Sequence, residues 1–368
     1  MKLLIFTQAV DENNPVLGFF LDWIREFAKH CESVVVICLY KGKHDLPANV
    51  KVLSLGKENN RGTQTRERKT WARIKYLINF YKFIWQERKN YDAVFVHMNQ
   101  VYVILGGWLW RWWNKKIGLW YAHGHVPFSL RVAEKMTNIV FTSTVGGFRL
   151  KSPKIEVVGQ GMDIEKFKPV TEKKENGKFR IITVGRISPT KDYETLIKAI
   201  EIIAAAEVSP DVKVNIVGEP GTPEQEKYFL DLQTLVKTAN LEKFINFIGP
   251  IPNNSIVGYL QSADLFVNMS HTGSLDKAVL EAMTVGLPIL TCNEAFVEFI
   301  PDDLRDSLLF KKGEAGEMAI KIKNIRSLTN RQKAAIGQKL NAVIIQQHSL
   351  KNLIKKILDN YINVELKS

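Results

Sequence analysis

Val-Gly-Arg-Ile-Ser-Pro-Thr-Lys-Asp (Val184–Asp192) follows directly on an apolar run, and Ser-Leu-Asp-Lys-Ala-Val-Leu-Glu-Ala-Met-Thr-Val-Gly-Leu-Pro (Ser274–Pro288) comes further along the same half of the chain. The first stretch sets Arg186 and Lys191 beside Gly185 at a strand-to-helix junction, where free amide N–H groups and fixed cations together suit a diphosphate. The second opens a helix with Glu281 alone among Ala, Val, Leu and Met, a costly place for a carboxylate unless something polar docks there. A carboxylate accepts two hydroxyl hydrogens at once, as a ribose diol requires. Taken singly, the pair reads as solvated loop charges and Glu281 as a helix-surface acid. The flanking pattern argues against both plain readings. Cations for phosphate and a carboxylate for hydroxyls are what a nucleotide-sugar needs.

Outward from this stretch, short apolar runs alternate with amphipathic helical patterns, which predicts parallel α/β layers. In the second half the strand-like runs are 179–184, 212–217, 245–248, 265–268 and 288–291, with helices at 193–206, 225–237, 256–261 and 277–285. The first half repeats the plan, with runs at 3–7, 33–38, 93–97, 117–122 and 139–143 and helices at 17–29, 71–88 and 101–113. The polar, aperiodic segment 168–178 is the expected boundary. Beyond Gly313 only helices are predicted, ending in an amphipathic one over 350–362.

At 368 residues the chain has room for two or three domains, and its 45% apolar and 24% charged residues are ordinary for a globular protein. Cys31, Cys38 and Cys292 are sparse, odd in number and without metal-ligand spacing, which points to a reduced, cytoplasmic setting. The opening apolar run is too short for a signal peptide and is read as a buried strand. Charge is uneven. Residues 1–170 hold 26 Lys+Arg and 14 Asp+Glu (+12); the rest hold 25 and 24 (+1), which together give the net +13. A basic first half implies an anionic partner for that half alone. Direct nucleic-acid readout is not expected, because no recognition motif accompanies the charge.

The string from Gly185 to Ala199, with Glu281 and its neighbours, resembles the donor half of retaining glycosyltransferases of family 4, specifically over about residues 155–290. The resemblance implies the GT-B fold: two Rossmann-like α/β/α domains facing each other across a cleft, here 1–168 (acceptor) and 169–348 (donor), with a C-terminal helix over 349–368 returning to the first domain. It implies a metal-independent enzyme without a cofactor, moving a sugar from a UDP- or GDP-linked donor to a sugar or lipid-linked acceptor with retention. In that reading Gly185, Arg186 and Lys191 bind the donor diphosphate and offset charge on the departing nucleotide, and Glu281 holds the ribose. Gly218 gives a close backbone approach to the ligand, main chain near Ile251 meets the base, and Leu280 joins the donor set. The family carries a second Glu eight residues before Glu281, where this chain has Gly273. Ser274 and Leu275 amides remain to contact sugar and phosphate, while Asp276 or Lys277 either takes over the lost role or the two pair with each other.

His123, in Leu-Trp-Tyr-Ala-His-Gly-His-Val-Pro, sits just past a strand and resembles the family's strand-then-His-Gly pattern, which implies polar contact with the transferred sugar rather than a nucleophile. His97, His125 and Gly18 are the acceptor-side candidates. The family's Gly-Gly loop after the first strand is here reduced to Gly18. Residues 66–89 mix eight basic residues with Trp71, Tyr76, Phe80, Tyr81, Phe83 and Trp85, the composition of an interfacial anchor. The uncharged run Met98–Trp110 is too short to span a bilayer. The Trp-rich helix around it is equally consistent with core and with membrane surface. The expected location is the cytoplasm, peripheral at the inner face of the membrane. Two other readings share the scaffold: a binding protein for anionic polymer or lipid without turnover, and a nucleotide-sugar epimerase.

Overall fold

The computed structural model describes the chain apart from residues 15, 60–65, 170–176, 209, 253–254 and 366–368, and apart from the side chains of 66–69 and 364–365. It divides into two units, Met1–Gly161 with His348–Ser368, and Met162–Gln347.

The first unit runs β1 (Lys2–Val10), α1 (Phe20–His30), β2 (Ser33–Lys41), β3 (Val50–Ser54), α2 (Arg66–Gln86), β4 (Ala93–His97), α3 (Val101–Trp112), β5 (Lys116–Trp120), α4 (Phe128–Met136), β6 (Ile139–Thr142) and β7 (Ile155–Val157). Its strands form one parallel sheet in the order β3-β2-β1-β4-β5-β6-β7. Helices cover both faces of a parallel sheet, so its strands read as continuous apolar runs. The period of two then sorts them. Leu3, Ile5, Val34, Val36 and Phe95 pack on one face with Phe20, Trp23 and Phe27 of α1. Leu4, Phe6, Val35, Ile37, Val94 and Val96 pack on the other with Phe80 and Ile84 of α2 and Trp110 of α3.

The second unit runs β8 (Phe179–Val184), α5 (Tyr193–Ala206), β9 (Val212–Val217), α6 (Pro223–Thr238), β10 (Ile245–Gly249), α7 (Ile256–Ser262), β11 (Leu265–Asn268), α8 (Lys277–Thr284), β12 (Ile289–Thr291), α9 (Asp302–Leu308), α10 (Ala315–Ser327) and α11 (Asn330–His348). Its parallel sheet has the order β10-β9-β8-β11-β12. The units divide at Gly161/Met162, ahead of the polar segment 168–178, because Met162 and Phe167 are already buried in the second core. Most of that polar segment lies outside the described residues.

The last helix, α12 (Leu350–Glu365), belongs to the first unit. Leu353, Ile354 and Ile357 are fully buried on the α1 face of its sheet. The Tyr361 hydroxyl donates to the Val94 carbonyl at 2.7 Å. It reaches the sheet over Gly118, where a Cβ would lie 2.2 Å from that oxygen. Among the described residues no helix is long and apolar enough to cross a membrane.

Two histidines are sealed into the first unit. His97 ends β4, stacked on Phe20 with ring centroids 4.1 Å apart, and burial pushes its pKa down to about 3. His348 accepts from the Gln160 amide through Nδ1, and burial, helped by the nearby Lys356 charge, lowers it to about 4. The unfolded chain binds these protons near pH 6.5, so it takes up more protons than the fold as pH falls below that value. The stability these two rings contribute to the first unit is therefore complete above pH 6.5 and is lost toward about pH 4 for His348 and about pH 3 for His97, at up to about 1.4 kcal/mol per pH unit each. Urea midpoints at pH 7.5 and 5.0 are expected to show this fall, and His97→Phe to reduce it. Equal pH dependence in that variant would remove His97 from the account.

Candidate active site

In the second sheet β8 lies between β9 and β11, so successive connections leave its carboxyl edge in opposite directions. Such a switch point opens a crevice outside the strand ends, where α/β sheets bind ligands. The two loops that flank it, 185–192 after β8 and 269–276 after β11, hold most of the donor-side residues singled out from the sequence.

In the first loop Ile187 is buried and anchors the chain, while Arg186 is exposed and forms no ion pair among the described residues. The buried Tyr193 at the start of α5 donates through its hydroxyl to the carbonyls of Gly185 (3.2 Å) and Arg186 (3.4 Å). Burial raises its pKa, so the hydroxyl stays a donor. Asp192 turns the chain into α5 at φ +47°, a left-handed conformation that Asp tolerates better than most residues. Its Oδ2 accepts from Thr195 Oγ1 at 2.7 Å. His271 Nε2 lies 3.2 Å from the same oxygen, close enough for an ion pair but without hydrogen-bond geometry. Burial lowers the His271 pKa, and the Asp192 charge opposes that shift.

Lys191 is held from across the switch point. Its Nζ lies 2.6 Å from Asp276 Oδ1 and 3.5 Å from Ser270 Oγ. Asp276 Oδ2 accepts from Asn268 Nδ2 at 2.8 Å, and Asn268 Oδ1 accepts from Thr291 Oγ1 at 3.0 Å. Thr291 Oγ1 in turn accepts from the Asn293 amide, and Asn293 Nδ2 donates to the Ser274 carbonyl. This chain of bonds ties the β8 loop, β11, its loop and the end of β12 into one polar lattice. An ammonium has three hydrogens, so Lys191 can keep Asp276 and still donate to a phosphate oxygen.

Asp276 and Lys277 do not pair with each other. Lys277 Nζ lies 2.9 Å from Glu281 Oε1, one turn along α8, and Glu281 is 4% exposed. Two ion pairs thus line the start of α8, while Arg186 has no ion-pair partner among the described residues. Gly273 adopts φ +61°, a conformation that would strain a Glu at this position. The Ser274 amide lies 3.4 Å from Thr272 Oγ1, a long bond, and Leu275 packs against the core. Leu280 is fully buried, so its side chain serves the core. Ile251 is half-buried against that core, beside the undescribed 253–254.

Gly218, expected at the donor site, closes against the β8 loop. Its φ is +141°, and a Cβ there would stand 1.9 Å from the Gly185 carbonyl oxygen. The backbone thus comes close to the chain's own β8 loop, which carries Arg186 and Lys191.

In the first unit His123 and His125 are exposed beyond β5. His123 Nδ1 accepts from the His125 amide at 3.0 Å, which places the ring proton on Nε2. The Tyr121 hydroxyl donates to the His125 carbonyl at 2.8 Å and fixes the turn. His97, expected to line an acceptor surface, is instead 3% exposed within the Phe19, Phe20 and Trp23 rings. Gly18 sits in a tight turn, where a Cβ would meet the Asn14 carbonyl at 2.8 Å.

Among the described residues no group of three or more His, Cys, Asp or Glu is arranged to hold a metal ion. The lattice partners Asn268, Thr291, Asn293 and Tyr193 were not singled out from the sequence. The signal for Asn268 is a polar residue ending the apolar run Leu265–Val267, which burial makes costly without partners.

The switch-point site falls within residues 163–341, which match the family described as glycosyl transferases group 1. The second unit matches glycosyl transferases group 1. A D-inositol 3-phosphate glycosyltransferase of Arthrobacter sp. (strain FB24) is 24% identical over 203 residues, 52% of this chain and 47% of that protein. A UDP-Gal:alpha-D-GlcNAc-diphosphoundecaprenol alpha-1,3-galactosyltransferase of Escherichia coli is 31% identical over 149 residues, 38% of this chain and 37% of that one. The chain thus aligns with less than half the length of either curated relative. The crystal structure of HepE from Anabaena in complex with UDP is 18% identical, covers 99% of this chain and 100% of its own, and superposes with a TM-score of 0.74. Two parallel-sheet α/β units with this likeness give the chain the GT-B fold.

Proposed function

We propose that this chain is a glycosyltransferase that takes its sugar from a nucleotide-sugar and binds that donor through the second unit. The observation that carries the reading is the switch-point lattice: Lys191 held on Asp276, with the exposed Arg186 in the same loop and Glu281 on the adjoining helix, inside the segment that matches glycosyl transferases group 1. In this reading Arg186 and Lys191 meet the diphosphate and stabilise the negative charge that develops on it as the sugar leaves. Glu281 accepts from the ribose hydroxyls, exchanging its Lys277 contact for the ligand. His123 presents a proton on Nε2 for a hydroxyl of the transferred sugar. Retention of configuration fits a leaving phosphate that itself helps deprotonate the acceptor. The UDP held by HepE and the UDP-Gal and diphosphoundecaprenol in the name of the E. coli relative favour a UDP-linked donor and a sugar or lipid-linked acceptor, met at the cytoplasmic face of a membrane.

The test is direct titration with UDP and GDP by calorimetry, comparing wild type with the Arg186→Gln, Lys191→Gln double variant. The wild type is expected to bind one nucleotide tightly enough to raise its melting temperature. The double variant is expected to lose at least 100-fold in affinity, since two charge-assisted contacts at about 1.5–3 kcal/mol each are removed. Unaltered affinity in a folded double variant would dismiss this site.

A further inference from the structure

The outer sides of α2 and α3 carry large side chains that no described residue covers. On α2, Trp71, Ile78 and Trp85 are 72%, 60% and 50% exposed. At about 100° per residue, positions seven apart fall almost in line, so these three form one stripe, with Ile74 beside it. Lys75 and Lys82, both exposed, run along the other edge of that stripe. Phe80 and Ile84 occupy the opposite side and are buried in the core. The helix is therefore apolar on two sides, and among the described residues only one of them is packed.

α3 continues the surface. Trp110 is fully buried, but Trp108 and Trp112, four residues apart, are 56% and 71% exposed. The two helices are joined by the Tyr81 hydroxyl donating to the Leu105 carbonyl at 3.0 Å and by the Trp85–Trp113 ring contact at 5.7 Å. The Arg88 guanidinium lies 4.7 Å over the Trp85 ring. Single exposed apolar residues are ordinary, whereas a run of Trp and Ile on two adjoining helices marks an interaction surface.

Charge selects the occupant. The +12 of residues 1–170 calls for an anionic partner. A second copy of the chain would bring Lys75 and Lys82 against like charges in a two-fold contact. A surface that pairs exposed Trp with Lys on helices lying flat suits the headgroup boundary of an anionic bilayer, where the rings enter the interface and the ammonium groups meet the phosphates. We propose that the α2–α3 face of the first unit docks the protein on an anionic membrane surface. The proposal stands on the first unit alone and does not depend on what the second unit binds.

Flotation of the full chain with phosphatidylcholine vesicles, with and without phosphatidylglycerol, tests it at low and high salt. Wild type is expected to float with anionic vesicles and not with neutral ones. Lys75→Ser with Lys82→Ser is expected to lower the partition coefficient by more than tenfold at low salt, at about fivefold per basic residue. Trp71→Ser, Ile78→Ser and Trp112→Ser together are expected to abolish the fraction that survives high salt. All five positions are exposed, and an unchanged circular dichroism spectrum and UDP response confirm that the variants are folded. Equal partition of both variants and wild type, or no flotation of wild type at low salt, overturns the proposal. A dimer in sedimentation that dissociates on Trp71→Ser, without vesicle binding, assigns the face to a second copy and overturns it equally.

Discussion

Stopping the chain after Ser349 is expected to abolish folding of the first unit while the second still unfolds cooperatively. The truncation removes Leu353, Ile354, Ile357 and Tyr361, each at most 1% exposed. At about 1.5–3 kcal/mol per buried side chain of this size, the loss is roughly 6–12 kcal/mol. That is comparable to the entire stability of an ordinary domain, about 5–15 kcal/mol. Among the described residues the core of the second unit contains none from α12, so it keeps its own transition. Gly118→Val tests the same dock with the helix retained, because a Cβ there stands 2.2 Å from Tyr361 Oη and 2.7 Å from Phe141 Cε2. Urea unfolding followed by circular dichroism should show two transitions in wild type and only the second-unit transition in the truncated chain. A truncated chain with the wild-type profile would mean that α12 is not part of the first unit's core.

Much of the fold is legible because buried parallel strands are continuous apolar runs closed by polar residues. The runs at 179–184, 212–217 and 265–268 and the helix at 193–206 are found at the bounds expected of them. β3 and β7 were not expected. Both are edge strands, and the half-exposed Val50-Lys51-Val52 and the three-residue Ile155–Val157 present too little apolar surface to stand out. α4 is only nine residues long and follows a proline, so its periodicity is brief. At the site, residue types at a strand end were readable, but their partners were not. Lys191 and Asp276 are 85 residues apart and meet only because β11 inserts beside β8. His97 shows the converse. A histidine at a strand end reads as a surface group, and only the approach of Phe20 from α1 turns it into core.

Gly218→Ala is expected to cost the second unit both stability and nucleotide binding, by way of the β8 loop it packs against. Any side chain at φ +141° is strained by about 1–3 kcal/mol. The added Cβ would also stand 1.9 Å from the Gly185 oxygen, where contact distances between carbons are about 3.5–4.0 Å. Neither atom can rotate away, since both belong to the backbone or are fixed to it. The ends of β8 and β9 must separate, against the bonds from the Gly185 amide to the Val217 carbonyl (3.0 Å) and from the Ile187 amide to the Glu219 carbonyl (3.1 Å). Arg186 lies between those two bonds, and Lys191 follows one turn later. Displacing them should lower UDP affinity more than 100-fold and depress the melting temperature of the second unit. Gly313→Ala is the control, because its φ is +76° but a Cβ there meets nothing within 4 Å. That variant should share the conformational strain and keep its affinity. If Gly218→Ala binds UDP as wild type does while Gly313→Ala is equally destabilised, the loop from Gly185 to Asp192 does not hold the nucleotide.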